Sequence, residues 1–135
     1  MTPEAAIARI LIVDDDVSFR QALTKHLERA GHDVRQAPDG EAGIRAFERQ
    51  PADLAIVDIF MPGQGGLHTI DRLRRAWPAV KIVAISGVPS AGSLDVQGHA
   101  VALGADRFIS KPFEAAALVE LVARLLKERD EPSPP

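Results

Sequence analysis

Five short apolar runs, each followed by a stretch of helical character, constrain this chain more than any other feature. The first, Ile10-Leu11-Ile12-Val13, is apolar at every position rather than at alternate ones, the mark of a strand covered on both faces. Val17 to Ala30 follows, with Phe19, Leu23, Leu27 and Ala30 on one helical face and Gly31 at the stop. Asp33 to Ala37 reads as a weaker strand, since only Val34 and Ala37 are apolar. Asp39 is placed to cap a helix from Gly40 to Gln50, which Pro51 ends. Leu54 to Asp58, Lys81 to Ser86 and Arg107 to Ser110 supply the remaining strands. Helices are expected at Leu67 to Trp77, at Leu94 to Leu103 behind a Gly87–Gly92 loop and a Ser93 cap, and at Glu114 to Arg129 with Leu118, Val122 and Leu125 on one stripe.

Strands that alternate with helices build a parallel sheet with helices on both faces, an α/β domain. A length of 135 residues suits one such domain with a single core. The expected organisation is a short extension over 1–8, the domain over 9–129, and a disordered tail or linker start over 130–135, where Glu131-Pro-Ser-Pro-Pro135 stands. Only 23 residues follow Pro112, which leaves no room for an output domain within this chain. A net charge of -3 offers no global attraction to nucleic acid or to an anionic membrane. The Arg72, Arg74, Arg75 group reads as a solvated helix face rather than a DNA contact. With no cysteine there is neither a disulfide framework nor a thiolate metal site. No N-terminal apolar stretch is long enough for a signal peptide or a membrane span, so a cytoplasmic protein is expected.

In an open parallel sheet, ligands collect at the carboxyl ends of the strands. The first strand here ends in Asp14-Asp15-Asp16, the third in Asp58, the fourth in Ser86, and the fifth runs into Lys111-Pro112. Two like charges 4 Å apart repel by about 4 kcal/mol at an effective dielectric of 20. Asp14, Asp15 and Asp58 together therefore invite a hard divalent cation with oxygen ligands, Mg2+ before Mn2+. A carboxylate beside that ion can attack phosphorus and form an aspartyl phosphate. The metal, the Lys111 ammonium and the Ser86 hydroxyl would then address the three outer phosphoryl oxygens. Each residue alone has a plainer reading: Asp16 as a helix N-cap, Asp58 as a turn residue, Lys111 as a surface lysine. The agreement of four strand ends carries the chemical one.

These residues sit in Ile-Leu-Ile-Val-Asp-Asp-Asp, Val-Asp-Ile-Phe-Met-Pro-Gly, Ala-Ile-Ser-Gly and Ile-Ser-Lys-Pro-Phe. In that combination the chain resembles a bacterial response-regulator receiver domain of the chemotaxis-regulator type, from Arg9 to about Arg129. The resemblance implies a flavodoxin-like (βα)5 fold with strand order 2-1-3-4-5. It implies Asp58 as an exposed phosphoacceptor and Asp14 and Asp15 as the pair holding Mg2+, with the backbone carbonyl of Phe60 completing the metal site. Ser86 and Lys111 become the groups that follow the phosphoryl, Lys111-Pro112 a cis peptide, and Ser86 with Phe108 the switch pair. The implied partners are a sensor histidine kinase or a histidine phosphotransfer protein, and a downstream protein on the face of the fourth helix, fifth strand and last helix. The implied protein is a signalling module rather than an enzyme, a monomer or a phosphorylation-linked dimer.

Three features depart from the family pattern. Phe108 has no phenolic hydroxyl, position 60 is bulky and apolar, and the Gly87–Gly92 connection is long. Phe60 and Val88 are the residues expected to tune loss of the phosphoryl group. Three other readings compete. A haloacid-dehalogenase-like phosphatase would use Asp14 as nucleophile and Asp16 as acid, but strand four lacks its later acidic pair. A flavodoxin-like phosphate binder would meet three carboxylates where it needs donors. A non-phosphorylated docking receiver would not need all the acidic, Ser and Lys positions filled.

Overall fold

The computed structural model describes residues 7–60, 65–87, 98 and 100–129. Five parallel strands, β1 (Arg9–Val13), β2 (Asp33–Ala37), β3 (Leu54–Asp58), β4 (Lys81–Ser86) and β5 (Arg107–Ser110), form one sheet in the order β2-β1-β3-β4-β5. Each strand matches its expected run, β1 gaining Arg9 at its start. Helices α1 (Val17–Arg29), α2 (Gly40–Arg49), α3 (Gly66–Ala76) and a C-terminal helix (Ala115–Arg129) lie within a residue of expectation at each end. Asp16 and Asp39 cap α1 and α2, each carboxylate accepting the N–H three residues on.

Side chains alternate across the sheet and sort the core into two layers. Leu11, Val13, Ala55, Val57, Ile82 and Ala84 point to the layer of α2 and α3, where Ile44, Phe47, Ile70 and Leu73 cover them. Ile10, Ile12, Leu54, Ile56, Val83 and Ile85 point to the other layer, under Leu23 and Leu27 of α1 and Leu118, Val122 and Leu125 of the C-terminal helix. The central strands are therefore apolar between their ends, whereas β2, at the edge, is exposed except at Val34 and Ala37. Ala8, expected in the extension, is buried with the second layer.

Helical backbone at 100–103 ends at Gly104, whose φ of +123° is open to glycine at little cost. A Cβ there would also strike the side chain of Arg74. Arg74 is not part of a solvated face as the sequence suggested. Its Nε and Nη2 donate to the Gly104 carbonyl, its Nη1 to the carbonyls of Pro78 and Val80, and its Nη2 to Asp106. The arginine fork satisfies acceptors from two separate segments, the one before β4 and the one before β5, which a run of basic residues cannot disclose. Arg75 next to it does face solvent, paired with Asp71 one turn away. Residues 88–92, Ser93 and the start of the helix expected at Leu94 lie outside the described residues, as do the tail over 130–135 and Val88.

Candidate functional site

The alternation that sorts the core also delivers the site. Ile10, Ile12 and then Asp14 lie on one face of β1, and Leu54, Ile56 and then Asp58 on the same face of β3. Lys111 follows Ile109 with the same two-residue spacing beyond β5. Three ionisable groups thus leave the top of the sheet on the side of α1 and the C-terminal helix. The α3 start closes against the end of β3, and a Cβ at Gly66 would collide with the Asp58 carbonyl oxygen.

Asp14, Asp15 and Asp58 each offer a carboxylate oxygen, all within 4.8 Å of one another. Asp14 and Asp58 are 1% and 5% exposed and Asp15 is open to solvent. The expectation of an exposed Asp58 is therefore corrected: it is buried at the end of β3, with the exposed Asp15 at the mouth of the cluster. The Lys111 ammonium lies 3.2 Å from Asp14 Oδ2 and 3.7 Å from Asp58 Oδ2. The Phe60 N–H donates to Asp58 Oδ1 at 2.9 Å, and the Asp16 N–H to Asp14 Oδ1 at 2.9 Å.

Burial pushes the Asp58 carboxyl up to about 6, and the Asp14 charge and hydrogen bond add to that, against the lowering effects of the Phe60 N–H and Lys111. Three carboxylates facing one ammonium leave the cluster short of positive charge. An all-oxygen donor set with that deficit fits a hard divalent cation. Asp16 is outside the cluster, its carboxylate occupied as the cap of α1, so the acid that a dehalogenase-like phosphatase needs is not free.

Ser86 is buried at the end of β4, and its carbonyl accepts the Lys111 N–H at 2.7 Å, which ties the lysine segment to that strand. The Lys111-Pro112 peptide is cis, as the resemblance implied. Phe108 pairs in register with Ala84 and is half-buried against the layer of α2 and α3. Phe60 is 40% exposed beside the mouth. The sequence missed two neighbours. Arg20 donates through Nη1 to the Asp14 carbonyl at 2.7 Å and through Nε to Gln36, holding the turn after β1. Phe19, assigned only to the inward face of α1, has its ring centroid 3.9 Å from the Lys111 ammonium. Its place in the first turn of α1, directly after the acidic triplet, was the available signal. A separate cleft of about 310 Å3, between the C-terminal ends of α2 and α3 and lined by Phe47, Pro51 and Trp77 among others, is apolar and has no part in this cluster.

Comparison with known proteins points the same way. The chain is 33% identical over 117 residues to the response regulator protein FleR of Pseudomonas aeruginosa, covering 87% of this chain and 24% of FleR. It is 35% identical over 118 residues to the transcriptional regulatory protein CseB of Streptomyces avermitilis, covering 87% of this chain and 48% of CseB. The chain thus spans well under two thirds of either relative. Among solved structures, a CheY-like receiver domain protein from Methanospirillum hungatei superposes with a TM-score of 0.86 at 29% identity, over 93% of this chain and 98% of that one. NtrX from Brucella abortus superposes at 0.84 with 32% identity, over 92% of this chain and 28% of that one. The family model described as response regulator receiver domain matches residues 10–123, from the first core residue of β1 into the C-terminal helix, and the chain belongs to that family.

Proposed function

We propose that Asp58 accepts a phosphoryl group from a phosphohistidine of a sensor kinase or phosphotransfer protein, and that the chain relays this as a change of surface. The observation that carries the reading is Lys111 bridging Asp14 and Asp58 within a three-carboxylate cluster. Asp14, Asp15 and Asp58, with the Phe60 carbonyl, would hold Mg2+, which when bound offsets the negative charge gathering on the phosphoryl oxygens. An Asp58 oxygen attacks phosphorus, the nitrogen–phosphorus bond of the donor breaks, and its electron pair returns to the imidazole. Lys111 turns from the neutralised Asp58 towards a phosphoryl oxygen, and the Ser86 hydroxyl donates to another. Beyond this self-directed transfer the chain is a signalling module, not an enzyme with turnover on a separate substrate. The signal leaves through Ser86 and Phe108 to the face of β5, the C-terminal helix and the helix ending at Leu103, which binds a protein target rather than nucleic acid. Among the described residues no helix is long and apolar enough to cross a membrane, and the proposed partners place the domain in the cytoplasm.

The test is intact-mass measurement after incubation with acetyl phosphate or a phosphorylated kinase. Wild type gains one phosphoryl group in the presence of Mg2+, and neither Asp58→Asn nor chelated wild type does. Equal labelling of the variant, or labelling that survives chelation, overturns the assignment.

A further inference from the structure

The Lys111 ammonium has two carboxylates on one side and an aromatic face on another. The Phe19 ring centroid is 3.9 Å from Nζ, well inside the range of a cation–π contact. The ring is itself held, meeting Phe113 edge to face with centroids 5.8 Å apart and planes at 89°. Phe113 stands two residues beyond Lys111, past the cis peptide, and both rings pack on the layer of α1 and the C-terminal helix. Ring, lysine and Phe113 therefore form one unit joining the first turn of α1 to the segment after β5.

We propose that Phe19 is a positioning residue that fixes the Lys111 ammonium over the carboxylate mouth by cation–π attraction; this rests on the reading of Asp58 as phosphoacceptor. A lysine carries a compact charge on a flexible four-carbon stem with three N–H donors. A polar neighbour would hold that charge by consuming a donor. The ring attracts the whole cation without a lone-pair acceptor, and the donors that point away from it stay available for carboxylate and phosphoryl oxygens. As Asp58 forms its bond to phosphorus and the ammonium turns to a phosphoryl oxygen, the pull of the ring is unchanged and keeps the ammonium over the mouth through the exchange. An aliphatic residue of similar size would fill the space and add only desolvation.

The experiment compares Phe19→Leu, Phe19→Tyr and proteins carrying phenylalanine of increasing ring fluorination at position 19, which weakens the ring's attraction for a cation at nearly constant shape. Two quantities are read: the Mg2+-dependent rate of phosphorylation by acetyl phosphate, and the ring-current shift of the Lys111 ε-methylene protons without phosphodonor. Wild type shows those protons shifted upfield. Phe19→Leu loses the shift and phosphorylates roughly three- to tenfold more slowly. Phe19→Tyr keeps both, and the fluorinated series slows stepwise while thermal stability stays level. Unshifted ε-protons in wild type, a Phe19→Leu rate equal to wild type, or a flat fluorinated series overturns the proposal. Wild type that takes no phosphoryl group, or Asp58→Asn that takes it equally, instead refutes the phosphoacceptor reading, and the ring-current shift then decides the placement of Phe19 alone. If Phe19→Leu fails to fold, the tyrosine and fluorinated proteins decide.

Discussion

Arg74 and Arg75 are chain neighbours on α3 whose removal should have very different consequences. The Arg74 guanidinium reaches four acceptors, the carbonyls of Pro78, Val80 and Gly104 and the carboxylate of Asp106. Water can take over at the exposed Pro78 carbonyl, but the other three acceptors are reached by part-buried bonds, two of them to Gly104. At about 1 kcal/mol each, Arg74→Met, which keeps most of the aliphatic stem, should cost roughly 3 kcal/mol. That corresponds to a fall in Tm of roughly 10 °C for a domain of this size. Arg74→Lys should recover less than half, because one ammonium cannot serve acceptors spread around a planar fork. Arg75, whose side chain is 79% exposed and paired with Asp71, should be replaceable by Met with no resolvable change. Urea unfolding of the three variants beside wild type gives the comparison, read as midpoint shifts at constant m. Equal costs for the two methionine substitutions, or an Arg74→Met protein within about 1 kcal/mol of wild type, would refute the assignment of Arg74 as the tie between α3, β4 and the Gly104 turn.

Three further outcomes are expected. The aspartyl phosphate should be long-lived, because Phe60 beside the mouth excludes water without orienting it; Phe60→Asn should shorten the lifetime in a phosphate-release assay, and an unchanged lifetime rejects this role. His32 is buried, its Nδ1 accepts the Ala8 N–H at 3.1 Å, and burial lowers its pKa below 6.5. The unfolded chain then binds the extra proton first, so this contribution is complete above 6.5 and is lost as pH falls towards the folded-state value. The stability difference between wild type and His32→Asn should therefore shrink as pH drops through that window, with a slope of at most about 1.4 kcal/mol per pH unit, and a pH-independent difference argues against it. Beryllofluoride added with Mg2+ should shift amide resonances at Asp58 and also around Phe108 to Phe113, since Ser86 and Phe108 share a face of β4 and β5; shifts confined to the mouth, or left intact by Phe108→Ala, exclude this route of coupling.

The apolar runs of β1, β3 and β4 determined their own fate, because a strand covered on both faces has no position where a polar side chain meets water. The same logic exposed Asp14, Asp58 and Ser86, each a polar residue at the point where such a run stops, and Lys111 just past the short β5. Helix limits followed from Asp16, Asp39 and Gly104, whose capping chemistry is local. Tertiary structure alone decided the depth and company of these groups. Asp58 proved buried, and Lys111, 53 positions later in the chain, lies within 3.7 Å of it because the crossovers that order the strands bring the two together. Phe19 came to face the ammonium through the docking of α1 against the segment after β5, and Arg74 found Gly104 thirty residues away. A strand or a cap is set by neighbours a few residues apart, which the sequence displays. The electrostatics of a long flexible side chain depend on which distant backbone or charge the packed fold places within reach, and no local pattern encodes that.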